Sequence, residues 1–127
     1  MARVDSGPPI LRVKKFTYDF AVDGGSIGTY TLGSLPDNVL VVAVAIDVPT
    51  AFTSSGGPSL SIGIENHGGA IESGAKGAVP WNGGKQITSD TALPHKTTAE
   101  EVITFIIGDA AVTAGVLHLW VQYYQSA

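Results

Sequence analysis

The sequence predicts an all-β protein, folded as a single-domain antiparallel β-sandwich of the jelly-roll type with about eight short strands. Three observations support this prediction. Apolar and polar residues alternate with a period of two in several segments, as in strands that bury one face. Turn-forming residues recur at intervals of about 8–12 residues. The length of 127 residues suits one domain with its own core.

Residues 1–9 are predicted to form an extended N-terminal arm, and residues 10–127 the sandwich domain. Pro8 and Pro9 disfavour helix and favour a polyproline-like backbone. Two interpretations of the arm stay open. It is either a frayed terminus or a segment that becomes ordered only against a neighbouring protein.

The first predicted β-hairpin covers residues 16–32. Residues 23–26 read Asp-Gly-Gly-Ser, a strong signal for a tight turn. Residues 27–32 are expected to form the return strand, and residues 35–38, Leu-Pro-Asp-Asn, predict a second turn. The strand before the first turn has apolar side chains at every second position: Phe16, Tyr18, Phe20 and Val22.

Residues 39–48 are the most apolar segment and are rich in β-branched side chains. Because such side chains lose rotamer freedom in helices, the segment is predicted to be a strand, buried on both faces, between Pro36 and Pro49. A strand with one apolar face and one small polar face is predicted next. Its apolar side chains alternate with small ones: Leu60, Ile62 and Ile64 with Ser61 and Gly63.

Residues 65–96 contain many glycines and two prolines, and their pattern is weaker. Short strands are predicted near residues 70–71, 78–81 and 86–88. Residues 97–101, Thr-Thr-Ala-Glu-Glu, resemble a helix N-terminus. The strongly β-forming residues 102–107 limit any helix there to one turn.

A second hairpin is predicted from residues 101–107 and 116–124, joined by a glycine-closed loop at residues 108–115. In the last strand, one face is apolar and is assigned to the core. Trp120 and Tyr124 lie on the opposite face with His118, where large aromatic side chains need cover from another element or another chain. The core face is formed by Leu117, Leu119, Val121 and Tyr123.

The composition excludes several classes of function. Charged residues make up 14% of the chain, against about 25% in soluble domains. A net charge of −4 argues against nucleic acid as a partner, because that binding depends on Lys and Arg contacts to phosphate. The absence of cysteine excludes disulfides and thiolate chemistry. No apolar run is long enough for a signal peptide or a membrane span, so we expect a soluble protein made in a cytoplasm.

Motifs for catalysis and cofactor binding are missing or incomplete. Gly84-Lys85 is followed by Gln86, which breaks a phosphate-binding loop. No Gly-x-Ser-x-Gly nucleophile elbow occurs. Glu65 and His67 are the one pair with metal-ligand spacing, but Gly68 and Gly69 disfavour strand geometry there and a solvated loop explains the pair better. We therefore predict no enzyme activity, no cofactor and no metal site.

A set of surface residues is more informative. Arg12 and Lys14 share one face of the first strand, either as a solvated face that discourages edge-to-edge aggregation or as a basic patch for an acidic neighbour. Trp81 is either a core residue or an anchor at a loop tip. The complete set of interface candidates is Pro8, Pro9, Arg12, Lys14, Trp81, Trp120 and Tyr124.

Residues 13–25 resemble the first hairpin of small all-β proteins found in tailed-phage structural gene regions. The turn and strand at residues 35–48, the strand at 61–65 and the ending at 107–116 extend the resemblance over residues 13–124. The resemblance implies a virion structural protein, most closely a capsid decoration, or cement, protein. Such proteins often bind as trimers where capsomers meet. The expected partners are thus other copies of this chain, as a homotrimer, and the major capsid protein. The expected location is the capsid surface, after assembly in the host cytoplasm.

Two other functions stay open. A tail or head-fibre module would be present in a handful of copies per particle rather than hundreds. A carbohydrate-binding sandwich would use aromatic platforms for a glycan, drawn from Trp81, Trp120 and Tyr124.

Overall fold

The computed structural model describes residues 10–66, 70–87 and 93–125. Pro8, Pro9 and His67 lie outside these ranges. The described residues form nine strands and one helical turn. The strands are β1 (Ile10–Asp19), β2 (Gly28–Leu35), β3 (Val39–Thr53), β4 (Ser59–Ile64), β5 (Ala70–Ala75), β6 (Lys85–Ile87), β7 (His95–Lys96), β8 (Glu101–Gly108) and β9 (Ala114–Gln125), and the helical turn is α1 (Phe20–Asp23).

The strands form two antiparallel sheets. The five-strand sheet has the order β1-β9-β3-β6, with β7 also paired to β3, and the four-strand sheet has the order β2-β8-β4-β5. Because β6 and β7 both pair with β3 on the side away from β9, they share one edge position. The chain passes from one sheet to the other between most successive strands, which is the connectivity of a jelly roll. The predicted all-β sandwich of the jelly-roll type is confirmed.

Aromatic rings from both sheets fill the core. Tyr18 and Phe105 have ring centroids 4.7 Å apart, and Phe52 and Phe105 have centroids 5.4 Å apart. Trp81 lies against Phe105 at 6.0 Å. Each such pair adds about 0.5–1.5 kcal/mol beyond the burial of its apolar area. The sandwich is thus held by direct ring contacts between the sheets.

The hairpin predicted at residues 16–32 is wrong. β1 pairs with β9, whereas β2 pairs with β8 in the opposite sheet. The strand ends at Asp19, whose carboxylate accepts a hydrogen bond from Ala21 N at 2.9 Å and caps α1. Gly24, with φ +80°, then ends the helical turn. The glycine signal marked a reversal of the chain correctly, but the reversal joins two sheets.

The hairpin predicted at residues 101–124 is wrong for the same reason. Both strands are present, but β8 belongs to the four-strand sheet and β9 to the five-strand sheet. The loop between them bonds to neighbouring loops, with Val112 N donating to Gly25 O at 2.9 Å and Thr113 N to Thr53 O at 2.7 Å. These bonds hold the connection across the end of the sandwich.

β3 is longer than predicted and is buried on one face only. Val39, Val41 and Val44 are buried, but Leu40 is exposed, because none of the described elements covers the outer side of the five-strand sheet. The strand continues through Pro49, where its pairing with β9 is irregular between Asp47 and Thr50. An irregularity of this kind tolerates proline because no ladder hydrogen bond is required there.

The glycine-rich middle of the chain differs most from prediction. β5 runs on to Ala75, and β6 covers residues 85–87, but residues 78–81 form a turn with a cis Val79–Pro80 bond instead of a strand. Residues 97–100 contain no helix, and Glu101 begins β8 directly. Among the described residues, no helix is long and apolar enough to cross a membrane.

Candidate protein-binding face

The outer face of the five-strand sheet carries most of the exposed large side chains of the strands. On β9 the residues at odd positions from Leu117 to Tyr123 are buried, so those at even positions point away from the core. The same alternation applies to β3 and to the C-terminal half of β1. We call this surface the outer face; its members are Leu11, Val13 and Lys15 of β1, His118, Trp120, Gln122 and Tyr124 of β9, Leu40, Ala43, Ala45 and Asp47 of β3, Lys85 and Ile87 of β6, and Lys96 of β7.

One end of the outer face is an apolar row across three strands. Leu11 is paired with Tyr124, and Tyr124 with Leu40. Their exposed fractions are 51%, 42% and 36%. Val13 is exposed beside them. Contiguous apolar surface on a sheet is characteristic of contact with another protein. We call Leu11, Tyr124 and Leu40 the terminal row.

The centre of the outer face is a depression beside Trp120. The register places Lys15, Trp120, Ala45 and Ile87 in one line across four strands. Lys15 Nζ lies 5.2 Å from the centroid of the Trp120 ring. The depression has a volume of about 410 Å³ and is lined by Ala45, Ile46, Asp47, Lys85, Gln86, Ile87 and Trp120. It is open enough to take one or two side chains of a partner.

The outer face is basic although the chain is acidic. Lys15, Lys85 and Lys96 lie on it, against Asp47 near its centre, while the whole chain has a net charge of −4. Lys85 and Lys96 form no ion pair with any residue that the structure describes.

Arg12 and Lys14 point to the other side of the sheet from Trp120. They pair with the buried residues Tyr123 and Val121 and so lie on the core side, beyond the region that the four-strand sheet covers. Lys14 Nζ donates to Ser34 O of β2 at 2.7 Å. An inward-pointing charge on an edge strand discourages pairing with another sheet. For Lys14, the geometry favours this protective role over a basic patch shared with the outer face.

Trp81 is a core residue. Its side chain is buried, and its ring centroid lies 6.0 Å from those of Phe52 and of Phe105. Phe52 N donates to Trp81 O at 3.0 Å, which holds the turn at residues 78–84 against β3. Trp81 Nε1 has no hydrogen-bond partner among the residues that the structure describes. Its place among the interface candidates is corrected, because a buried indole contacts no partner.

A buried carboxylate that the sequence did not reveal lies at the end of the sandwich near the terminal row. Glu101 accepts hydrogen bonds from His95 Nε2 at 2.8 Å, from Thr98 N at 3.0 Å and from Asn66 N at 3.3 Å. Burial raises the pKa of Glu101, but these hydrogen bonds outweigh it and hold the pKa below its ordinary value. The three donors tie β8 to two loops, so we assign the group to structure.

The other described side chains that could take part in catalysis or metal binding do not lie together at one site. Glu65 Oε1 accepts from Val102 N at 3.1 Å, which engages that carboxylate within the fold. Thr17 Oγ1 and His118 Nδ1 are 3.1 Å apart on the outer face. In the described ranges, no group of three or more His, Asp or Glu residues could hold a metal ion.

A second exposed surface lies at the opposite end of the sandwich from Glu101. The connection from β1 to β2 carries Val22 and Ile27, both strongly exposed, next to the carboxylate of Asp23. The Asp23 carboxylate accepts from Asp19 N at 2.9 Å, and Tyr18 OH donates to Gly24 O. These bonds fix the shape of the connection. We call residues 19–27 the acidic knob.

Comparison with known proteins gives a likeness of fold. No protein-family model and no curated protein matches the sequence. The chain shares its fold with chains of phage capsids. A chain from the acid-stable capsid of Helicobacter pylori bacteriophage KHP30 matches with a TM-score of 0.69 and 19% identity, over 93% of this chain and 90% of that one.

Two further phage structures agree. A chain of the cyanophage Pam1 capsid asymmetric unit has a TM-score of 0.68 and 17% identity, over 98% of this chain and 94% of that one. A chain of the Ralstonia phage GP4 capsid has a TM-score of 0.69 and 19% identity, over 100% and 92%. The resemblance to all-β phage proteins is thus confirmed at the level of fold.

Proposed function

We propose that the protein is a structural component of a phage particle, specifically a capsid decoration, or cement, protein that stabilises the shell through protein–protein contacts. The likeness to chains of three phage capsids supports this proposal, because it extends over at least 93% of this chain and 90% of each of theirs. A jelly roll by itself serves many functions. The surface of this chain therefore carries the rest of the argument.

The decisive observation is the exposed apolar terminal row on a rigid sheet. Leu11, Tyr124 and Leu40 are not needed for the core, which is complete on the other side of the same strands. Apolar side chains so exposed raise the risk of aggregation unless a partner covers them. In an assembled shell, neighbouring proteins would cover these side chains permanently.

Three roles in the particle follow from this proposal. The terminal row faces the major capsid protein, while Arg12, on the other side of β1, meets an acidic group of a neighbouring chain. The arm at residues 1–9, with Pro8 and Pro9, runs along the shell or adds a strand to a neighbour. The chain also contacts copies of itself, as a homotrimer. Many weak contacts of this kind act together, because linked binding events raise the overall affinity without any tight single site.

The location that this function requires is the outer surface of the capsid, reached after assembly in the host cytoplasm. A structural rather than catalytic role agrees with hydrogen bonding of Glu101 and Glu65 inside the fold. A carbohydrate-binding function is disfavoured because Trp81, one of its three expected aromatic platforms, is buried.

Quantitative mass spectrometry of purified particles tests the proposal. We expect the chain in hundreds of copies per particle and in a fixed ratio to the major capsid protein. A handful of copies would instead support the tail or head-fibre alternative. Absence from intact particles would remove the virion role altogether.

A further inference from the structure

Two surfaces of this chain are complementary in apolar character and charge. The shallow depression on the outer face is bordered by Trp120 and Ile87 and is lined by Lys85 as well as Asp47. Lys85 forms no ion pair with any residue that the structure describes, and Lys15 over the Trp120 ring adds a second base. Ile87 is 70% exposed. The acidic knob presents Val22, which is 81% exposed, next to Asp23 in the helical turn. The knob thus offers Val22 beside the acid Asp23, and the depression offers apolar surface beside the base Lys85.

We propose that the acidic knob of one copy docks into the Trp120 depression of a second copy. Val22 and Ile27 enter the hollow against Trp120 and Ile87, and Asp23 approaches Lys85. This proposal rests on the self-association part of the proposed function and names the residues that perform it.

Several properties of the knob suit it to this contact. Its backbone is fixed by hydrogen bonds from Ala21 N and Asp19 N to aspartate side chains, so little conformational entropy is lost on docking. Val22 is largely exposed in the single chain, since it projects from one helical turn, and so has apolar surface to bury in a contact. The charges also favour the acidic knob over a second outer face as the group that binds in the depression, because two basic outer faces would repel one another.

The contact is head-to-tail, since each copy offers a knob to one neighbour and a hollow to another. Contacts of this type build closed rings when the rotation between copies closes, and open filaments when it does not. A closed ring of few copies is the form that the proposed function requires.

The test is sedimentation of the purified full chain across micromolar concentrations, compared with Val22→Ser and Ile87→Ser. We expect the wild type to self-associate and each variant to associate about tenfold more weakly. The matched control is Ile106→Ser, which removes an exposed isoleucine from the outer side of the four-strand sheet and is expected to sediment as the wild type does. Circular dichroism confirms that all variants fold, because the three side chains lie at the surface.

A mixing experiment tests whether the knob of one copy meets the hollow of another. The Val22→Ser copy keeps its hollow and the Ile87→Ser copy keeps its knob, so an equal mixture is expected to form a heterodimer with one intact contact. A mixture that associates no better than either variant alone would show that Val22 and Ile87 do not meet across copies.

A wild type that stays monomeric, or variants that associate as the wild type does, would overturn the inference. Neither result depends on finding the chain on particles, so the proposed virion function is tested separately by mass spectrometry. The charge pair gives a further readout: Lys85→Asp is expected to weaken association, because it places an acid opposite Asp23. If Lys85→Asp associates as the wild type does, Lys85 is not part of the contact.

Discussion

Glu101 illustrates how one buried carboxylate can tie several loops together. It is fully buried, and its three hydrogen-bond donors come from β7, from the loop before β8 and from the turn after β4. A charge removed from water is stable only when its lone pairs are satisfied, and here the donors satisfy them. The ends of three strands therefore depend on one ionised group.

Acid is expected to destabilise the fold through Glu101. Its pKa is lower in the folded than in the unfolded chain, so the stability it contributes is present above its ordinary pKa of 4.5 and is lost as the pH falls through the folded-state value. Glu101→Gln should lower the free energy of unfolding at pH 7 by about 1–3 kcal/mol and flatten its dependence on acid pH. Urea unfolding at several pH values measures both effects. The exposed Glu100→Gln serves as the control, and an equal effect there would contradict the assignment.

Ionisation of Tyr18 is expected to destabilise the fold at alkaline pH. Burial, and then the nearby Tyr30, Asp23 and Asp19, raise the pKa of Tyr18 to about 12. The stability that the neutral hydroxyl contributes is therefore present below pH 10 and is lost between about pH 10 and 12. Tyr18→Phe removes the bond to Gly24 O and should cost about 0.5–1.5 kcal/mol at pH 7. Thermal unfolding at pH 7 and pH 11 checks this, and a variant that keeps the full alkaline loss would show that another group causes it.

At the scale of elements, β1 is an edge strand that carries a charged side chain where it discourages pairing with another sheet. Lys14 points inward and donates to Ser34 O, which closes the gap between β1 and β2. Replacing it by valine keeps the strand propensity but removes the charge. Lys14→Val is therefore expected to increase aggregation at high concentration, as seen by light scattering. Lys76→Val, outside the edge, is the comparison; equal scattering from both would mean that lost net charge alone is responsible.

The start of β9 depends on a glycine. Gly115 has φ +148°, and a Cβ there would overlap the ring of Phe52. Gly115→Ala should therefore lower the free energy of unfolding by about 1–3 kcal/mol. Gly57→Ala is the matched control, since nothing lies within 4 Å of its Cβ position, and it should be neutral or slightly stabilising. Thermal unfolding of both variants tests this prediction. Similar unfolding midpoints would show that the Phe52 ring moves aside at little cost in free energy.

Individual strands were predictable from the sequence, but their pairing was not. The alternation in β4 and β9 placed Leu60, Ile62 and Leu117 on the core side correctly. The two glycine-marked reversals were read as hairpins because a turn signal is local, whereas the choice of sheet is made by burial between distant segments. The sequence around Glu101 resembles a helix start, and its donors could not be predicted, because His95 in β7 and Asn66 in the turn after β4 reach it only through the fold.

For the whole molecule, the local sequence shows which side chains of a strand point outward, but only the pairing of distant strands shows which residues share the outer face. Period-two alternation predicted that Trp120 and Tyr124 point outward, and the register confirms it. Ile87 and Lys85 were not among the candidates, because they reach the face only through the pairing of the short β6 with β3. Trp81 could not be assigned from its sequence, since its burial depends on contacts with Phe52 and Phe105.

Shell binding is the prediction that belongs to the entire protein in its particle. If the terminal row meets the shell, Leu11→Ser with Tyr124→Ser should reduce binding to particles assembled without this protein by about tenfold or more, because apolar anchors dominate such interfaces. The fold should be unaffected, since both side chains lie outside the core. Cryo-electron microscopy of particles incubated with each protein measures the occupancy.

The control for shell binding is Val79→Ser, which removes an exposed valine from the turn beside Trp81, away from the terminal row. Sedimentation of the Leu11→Ser, Tyr124→Ser double variant should match that of the wild type, because self-association uses the Trp120 depression and the acidic knob instead. Full occupancy by the double variant would mean that the shell is held through another surface. Loss of both shell binding and self-association would instead show that the outer face is one continuous interface, with copies of the chain and the shell competing for the same side of the five-strand sheet.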